Sequence, residues 1–439
     1  MKVLHQADTT LLKLLPKQEL REDTVYVPSQ FALAFEHKGK RYVFHTLTAQ
    51  LSEADLPRSV KGIDCERALV EGLFLVPEDK DECAFYESVA RLGRLFAKSR
   101  DAGTRFQILP TFGCNARCVY CYEEGVHPIT MTQEVADQTV RFILEQCKGR
   151  PVKLTWFGGE PLLHPGIIDR ITGQLKEHGV AYGSRIISNG SLVTPETVRK
   201  MKDDWNVGHV QISMDGAEPD YIARKRYYAY RDTYHAVMDA VDLMSAAGIQ
   251  VVIRCNAEEA NWDGMPQFLK DLGARIKHKE NVGLYFAPLN QIRTGENDLA
   301  MWERIAAIRS LIEKEGIKAH PFLAPRMSFR ANACMADAGT FVIAPDGGLY
   351  PCEHCQPEAR YGDVFHGVTD GAARAAFCDA HETREQCRKC PFLPDCTSFQ
   401  SCPVQDTHCR EARMIFALDV LKRIIDQNAQ IDAEEIADC

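Results

Sequence analysis

From Phe106 to Glu315 the chain repeats one pattern, a short apolar run, a loop, then a stretch of helical periodicity. An apolar run at Phe106–Pro110 leads through a loop to "MTQEVADQTVRFILEQC", which has the helical period. "VKLTWF" (Val152–Phe157) reads as a buried strand and precedes a helix near Pro165–His178. "SRIIS" precedes a helix opened by Thr194-Pro195-Glu196, an N-cap with proline in the first turn. "HVQISM", "IQVVIRCN" and "VGLYFAPL" precede helices across Tyr234–Ala247, Met265–Leu272 and Leu299–Glu315. About six strand–helix units in succession mean an α/β chain with a parallel sheet and right-handed crossovers. Six are too few to close an eightfold TIM barrel, so the expectation is an open, partial (β/α)6 barrel. Its functional loops belong at the C-terminal strand ends.

Cysteine usage is the second constraint. The chain of 439 residues holds seventeen cysteines, yet "MKVLHQADTTLLKLLPKQEL" lacks the apolar core of a signal peptide and no run approaches a membrane span. A cytoplasmic protein is expected, and clustered cysteines there point to metal or catalysis rather than disulfides. Cys65, Cys83, Cys147 and Cys255 are scattered and read as small hydrophobes. Three others, Cys114, Cys118 and Cys121, form C-x3-C-x2-C directly after the first strand, and ten lie at or after Cys334. The net charge of −9 argues against a nucleic-acid partner, and Arg224-Lys225-Arg226 reads as a solvated face or an anion contact.

The three-cysteine loop, with Tyr120 before its last cysteine, closely resembles that of the radical SAM superfamily; a zinc loop borrowing a distant ligand is the bland alternative. The resemblance implies a [4Fe–4S] cluster on Cys114, Cys118 and Cys121, whose open iron takes S-adenosylmethionine. Three further stretches match in order. Gly158-Gly159-Glu160-Pro161 resembles the GGEP motif that holds the amino group of the methionine moiety, with Glu160 as a negative partner. "ISNGSLVT", placed at the fourth-strand position, is similar to the ribose-contact segment and offers Ser188 and Asn189. "QISMDG" resembles the "SLDG" element, putting Ser213 and Asp215 near the cofactor, unless Asp215 only caps a turn. Arg224 or Arg226 is expected to neutralise the methionine carboxylate; Arg254 is counted with the cofactor-binding residues and shares with Asn256 one side of a strand, expected to point into the barrel.

The C-terminal cysteines resemble the SPASM extension, which carries two auxiliary [4Fe–4S] clusters in peptide and protein maturases. Cys334, Cys352, Cys402 and Cys355 are assigned by analogy to one cluster, and Cys387, Cys390, Cys396 and Cys409 to the other, three clusters in all. Five residues separate Cys396 from Cys402 where the family has three, which leaves the places of Cys402 and Cys409 open; paired zinc knuckles are the alternative. Cys378 and Cys439 have no place in the pattern. Glu353, after Cys352, stands where sulfatase-maturating relatives carry an aspartate proposed as the base.

Before the barrel, "FALAFEHKGKRYVFHTLTAQL" reads as a hairpin about a Lys-Gly turn, and "ALVEGLFLVPEDKDECAFYESVARLGRLF" as a short strand and a helix. The order resembles the winged-helix-like leader-recognition modules of ribosomal-peptide maturases, which bind a peptide as an added strand; a structural cap is the alternative. Three domains are expected: 1–100 for peptide recognition, 101–320 for the partial barrel and 321–439 for the SPASM region. The resemblance implies an enzyme that abstracts hydrogen from a ribosomal precursor peptide, leader plus core, to install a thioether or carbon–carbon cross-link. A flavodoxin- or ferredoxin-type protein would donate electrons. The alternatives are a sulfatase-maturating enzyme that makes formylglycine and a zinc-bound peptide-interaction scaffold.

Overall fold

The computed structural model of the chain describes residues 1–6, 18–101, 104–228, 232–289, 296–320, 339–355, 357–379, 383, 385–395 and 409–437. Two compact units form, one from Met1–Ala97 and His381–Cys439, the other from Lys98–Phe322 and Met335–Ala380. No helix among the described residues is long and apolar enough to cross a membrane.

In the first unit β1 (Lys2–His5), β2 (Val25–Pro28), β3 (Ala32–His37), β4 (Lys40–His45), β5 (Gln50–Glu53), β6 (Val60–Lys61) and β7 (Leu75–Pro77) make two antiparallel sheets. Their orders are β1-β5-β4-β3 and β6-β2-β7, which leaves β3 at an edge. The expected hairpin is β3–β4. His37 pairs with Lys40 across Lys38 (φ 49°) and Gly39 (φ 75°), a two-residue turn of the primed kind that follows the strands' own twist.

This sheet does not close its own core. Leu33, Tyr42, Phe44 and Leu51 are buried with Phe392 and with Ala417, Leu421 and Ile425, a one-face stripe of the helix Cys409–Ala437. Phe31, Leu47, Cys83 and Val89 enclose Leu393, while Gln30 Nε2 donates to the Arg388 carbonyl at 3.0 Å. The segment from Cys387 to Leu393 is therefore packed into the N-terminal sheets, a long-range partnership that sequence periodicity does not carry. Phe392→Ala should remove about 3–5 kcal/mol from this unit, read as a shift of its urea midpoint; an unchanged midpoint would mean that the segment merely rests there.

The second unit holds the expected parallel sheet. β8 (Arg105–Ile108), β9 (Val152–Trp156), β10 (Tyr182–Ser188), β11 (Val207–Ser213), β12 (Gln250–Ala257), β13 (Val282–Pro288) and the short β14 (Lys318–Ala319) follow one another in order and are all parallel. On the other side of β8 lies β15 (Thr340–Ile343), followed by β16 (Gly348–Tyr350), β17 (Gly362–Asp363) and β18 (Gly367–Val368), so the barrel stays open. The helices Pro165–Glu177, Pro195–Asp203, Thr233–Ala246, Met265–Arg275 and Glu296–Lys314 fall where the periodicity put them. Thr194 caps the second of these by accepting from Thr197 N–H. Along β9, Val152, Leu154 and Trp156 are buried while Lys153 and Thr155 alternate to the opposite face, the lumen. Phe106 of β8 stacks on Phe341 and meets Phe142 edge-on.

Two expectations change. "ISNGSLVT" follows the third barrel strand, β10, rather than a fourth. The run Arg224-Lys225-Arg226 ends a helix, Glu218–Lys225, which buries Arg224 and Lys225 instead of leaving them on a solvated face.

Candidate active site

The three-cysteine loop leaves the C-terminal end of β8. Cys121 N–H donates to the Cys118 carbonyl at 3.1 Å and Ala116 N–H to Cys114 Sγ at 3.4 Å, a tight turn that gathers the thiols. Burial, above all, pushes the Cys114 thiol up to about 12; the Ala116 bond opposes this, and the charges of Glu160, Cys118 and Cys121 add to it. None of the three is in a disulfide.

The turn after β9 is pressed onto this loop. A Cβ on Gly158 would stand 2.4 Å from the Thr111 carbonyl oxygen, and one on Gly159 would stand 2.3 Å from that of Gly113. Gly158 also holds φ 109°, open to glycine. Glycine is needed here because two backbones touch. Pro161 then starts a short 3-10 turn. Glu160 is 0% exposed and accepts from Ser188 Oγ (2.8 Å), Asn189 N–H (2.8 Å) and Leu162 N–H (3.1 Å). Its carboxylate thus ties the end of β9 to the end of β10. Asn189 continues the link, donating Nδ2–H to Asn115 Oδ1 at 2.8 Å and toward Cys114 Sγ at 3.9 Å. Asn115 donates in turn to Ser191 Oγ at 2.9 Å.

A charged cage lies beyond. Asp215, 0% exposed, accepts from the Tyr120 hydroxyl and from Asn256 Nδ2 (3.1 Å), while Asn261 Nδ2 holds its carbonyl at 2.8 Å. Lys225, fully enclosed, places Nζ 2.8 Å from Ser213 Oγ and 3.5 Å from Asp215 Oδ2. Burial pulls its pKa down, but Asp215, Tyr120 and Cys118 outweigh that and leave it raised, so the ammonium stays charged beside the thiols. Arg224 pairs with Glu258 and lies 5.2 Å from the Tyr120 ring centre. Its Nε and Nη2 are buried without a hydrogen-bond partner among the described residues. Backbone bonds fasten this element to the cysteine loop, from Arg117 N–H to the Lys225 carbonyl and from Val119 N–H to the Arg224 carbonyl.

The structure therefore brings together Cys114, Cys118, Cys121, Tyr120, Gly158, Gly159, Glu160, Ser188, Asn189, Ser213, Asp215 and Arg224. Arg226 is exposed and turns its Nε back to the Ala223 carbonyl, away from this set. Arg254 sits on the lumen face of β12, donating to Asn256 Oδ1 at 3.1 Å. Lys225, Asn115 and Asn261 were missed. The signal for Lys225 was available only through the phase of a helix that the sequence did not reveal.

Cys352 and Cys355 share a turn of the same unit, Cys355 N–H donating to the Cys352 carbonyl at 3.2 Å. Between them, the ring of His354 lies tilted against that of Tyr122 in the cysteine loop, the centres 4.7 Å apart. Glu353 is half-buried, and its charge reaches Arg185 and Tyr122. The carboxyl that burial raises in this neighbourhood is Glu123, up to about 7. Cys387 and Cys390 form a matching turn in the first unit, Cys390 N–H to the Cys387 carbonyl at 2.9 Å. Cys334, Cys396, Cys402 and the side chain of Cys409 lie outside the described residues.

Three soft thiol donors in one loop, a buried ammonium beside them and an arginine with orphaned N–H groups fit an iron–sulfur cluster together with a carboxylate-bearing ligand. Such a site at the strand ends of an open α/β barrel defines a class of cluster-dependent enzymes. Across residues 108–270 the chain matches the Radical SAM superfamily model. It is 25% identical over 327 residues to an AdoMet-dependent heme synthase of Methanosarcina barkeri, covering 64% of this chain and 88% of that one. To a serine-type anaerobic sulfatase-maturating enzyme of Klebsiella aerogenes it is 24% identical over 322 residues, 66% and 77% of the two chains. The fold resembles native anSMEcpe with bound AdoMet (TM-score 0.59, 17% identity, 74% of this chain and 99% of that). It also resembles Streptococcus suis SuiB bound to precursor peptide SuiA (TM-score 0.50, 13% identity, 85% and 94%).

Proposed function

We propose that this chain is a maturase that abstracts hydrogen from a ribosomally made precursor peptide and cross-links it within itself. The observation that carries the chemistry is the convergence of three separate strand ends on one three-cysteine loop, with Lys225 and Arg224 supplying positive charge beside it. When bound, the cluster and S-adenosylmethionine supply a carbon-centred radical strong enough to take hydrogen from an unactivated C–H bond. The residues do the rest. Cys114, Cys118 and Cys121 hold the cluster. The Gly158–Pro161 turn and Arg224 with Lys225 hold the amino-acid end of S-adenosylmethionine, and Ser188 and Asn189 its ribose. Asp215 keeps Tyr120 and Lys225 in place. Glu353 accepts a proton from the substrate. Cys352 and Cys355 with Cys334 and Cys402, and Cys387 and Cys390 with Cys396 and Cys409, would hold two auxiliary clusters of a SPASM region, which would supply an acceptor for the electron released with that proton. A flavodoxin- or ferredoxin-type protein would donate the electron that cleaves S-adenosylmethionine. The N-terminal sheets, with β3 at an edge, bind the leader.

Support for a peptide substrate comes from the relatives: one matures sulfatases, and SuiB holds a precursor peptide. Sulfatase maturation is the second reading, favoured by the Klebsiella likeness. Anaerobic turnover of peptides encoded beside the gene separates the two. A product short of two hydrogens whose fragments stay linked supports the cross-link; an aldehyde trapped by a hydrazide supports formylglycine. In the same assay Glu353→Gln should cut product by about 10²- to 10⁴-fold, the range for losing a general base, with cleavage of S-adenosylmethionine retained. Product within a few-fold of wild type would return Glu353 to the surface.

A further inference from the structure

We infer that the barrel lumen holds a carboxylate of the substrate peptide between Arg185 and Arg254. This rests on the peptide reading above and adds the substrate's chemistry. Registered residues of neighbouring parallel strands share a face, and Gln107 pairs with Thr155, Thr155 with Arg185, and Arg254 with Tyr285. Their in-strand neighbours Phe106, Trp156, Ile186, Ile253 and Phe286 are buried on the helix side, so these six residues (Gln211 included) look into the lumen.

Three observations on that face ask for an anion. Arg185 gives its Nε–H to Thr155 Oγ1 at 2.9 Å and Arg254 gives its Nε–H to Asn256 Oδ1 at 3.1 Å. Neither guanidinium is in a salt bridge among the described residues; the charge of Glu353 reaches Arg185 without one. Tyr285, whose hydroxyl donates to Gln211 Oε1 at 3.2 Å, is hydrogen-bonded by Arg254, and the charges of both Arg254 and Arg185 act on its phenol. Gln107, 2% exposed, has no hydrogen-bond partner on either end of its amide among the described residues. A buried amide left in that state is unfavourable until something completes it. Solvent reaches Arg185, so the face is open to a ligand. A guanidinium pair matches a planar carboxylate, and carboxylate is the anion an unmodified peptide carries. The source is an Asp or Glu side chain or the peptide's C-terminus.

The test uses three capped tripeptides with the holoenzyme under anaerobic conditions, followed by saturation-transfer NMR. Acetyl-Gly-Glu-Gly-amide carries only a side-chain carboxylate, acetyl-Gly-Gln-Gly-acid only a terminal one, and acetyl-Gly-Gln-Gly-amide neither. One of the two acids should bind about tenfold more tightly than the neutral peptide, as a charge-assisted pair predicts, and which one identifies the source. Arg185→Gln, Arg254→Gln and the double variant should erase the preference while still binding S-adenosylmethionine. Equal binding of all three peptides, a preference that survives both substitutions, or displacement of the acid by S-adenosylmethionine would each overturn the inference. The readout needs no turnover, so it stands or falls separately from the maturase reading.

Discussion

Replacing Cys114, Cys118 and Cys121 together by Ala is expected to abolish reductive cleavage of S-adenosylmethionine and to remove about four iron atoms per chain. The three thiols leave one loop between β8 and Gly125, and the described structure offers no second set of cysteines at a barrel strand end. Burial already disfavours the free thiolate at Cys114. A metal that replaces the proton relieves that penalty, so the loop is poised for loading rather than for carrying free thiolates. Iron bound through the C-terminal cysteines should remain. If 5′-deoxyadenosine still forms above background, the opening loop has been misread.

Gly159→Ala should be nearly as severe, although it removes no ligand. The added methyl would stand 2.3 Å from the Gly113 carbonyl oxygen and 2.7 Å from the Phe112 oxygen, both backbone, so the cysteine loop must shift. A displacement of that order at a reacting centre lowers rate by about 10²-fold. Gly173→Ala is the control. Its Cβ meets nothing within 4 Å, it lies inside the helix Pro165–Glu177, and it should add about 0.5–1 kcal/mol of stability with cleavage unchanged. Near-normal cleavage by the Gly159 variant would mean that the turn does not align the loop.

The barrel was legible because each strand is a local apolar run and each helix carries its own period and cap, as at Thr194. The cysteine loop was legible because its three cysteines are seven residues apart at most. Arg224-Lys225-Arg226 was not, because three consecutive cations look solvated until the helix Glu218–Lys225 fixes which of them turn inward. Glu160 reads in the sequence as a partner for the cofactor, but the bonds its oxygens accept from Ser188, Asn189 and Leu162 were not legible there, because they depend on register between strands. The N-terminal sheets gave a local hairpin signal, but their burial of Phe392 and Leu393 joins residues more than three hundred positions apart. Removing the first ninety-odd residues would strip that core, so leader binding is better tested by substitutions along β3.

The most direct measurement is made on wild-type protein purified without oxygen and given S-adenosylmethionine and a strong reductant, with metals and products quantified together. Iron and sulfide, a brown chromophore and 5′-deoxyadenosine formed with methionine are the predicted result. Zinc in place of iron, with S-adenosylmethionine left intact, would contradict it.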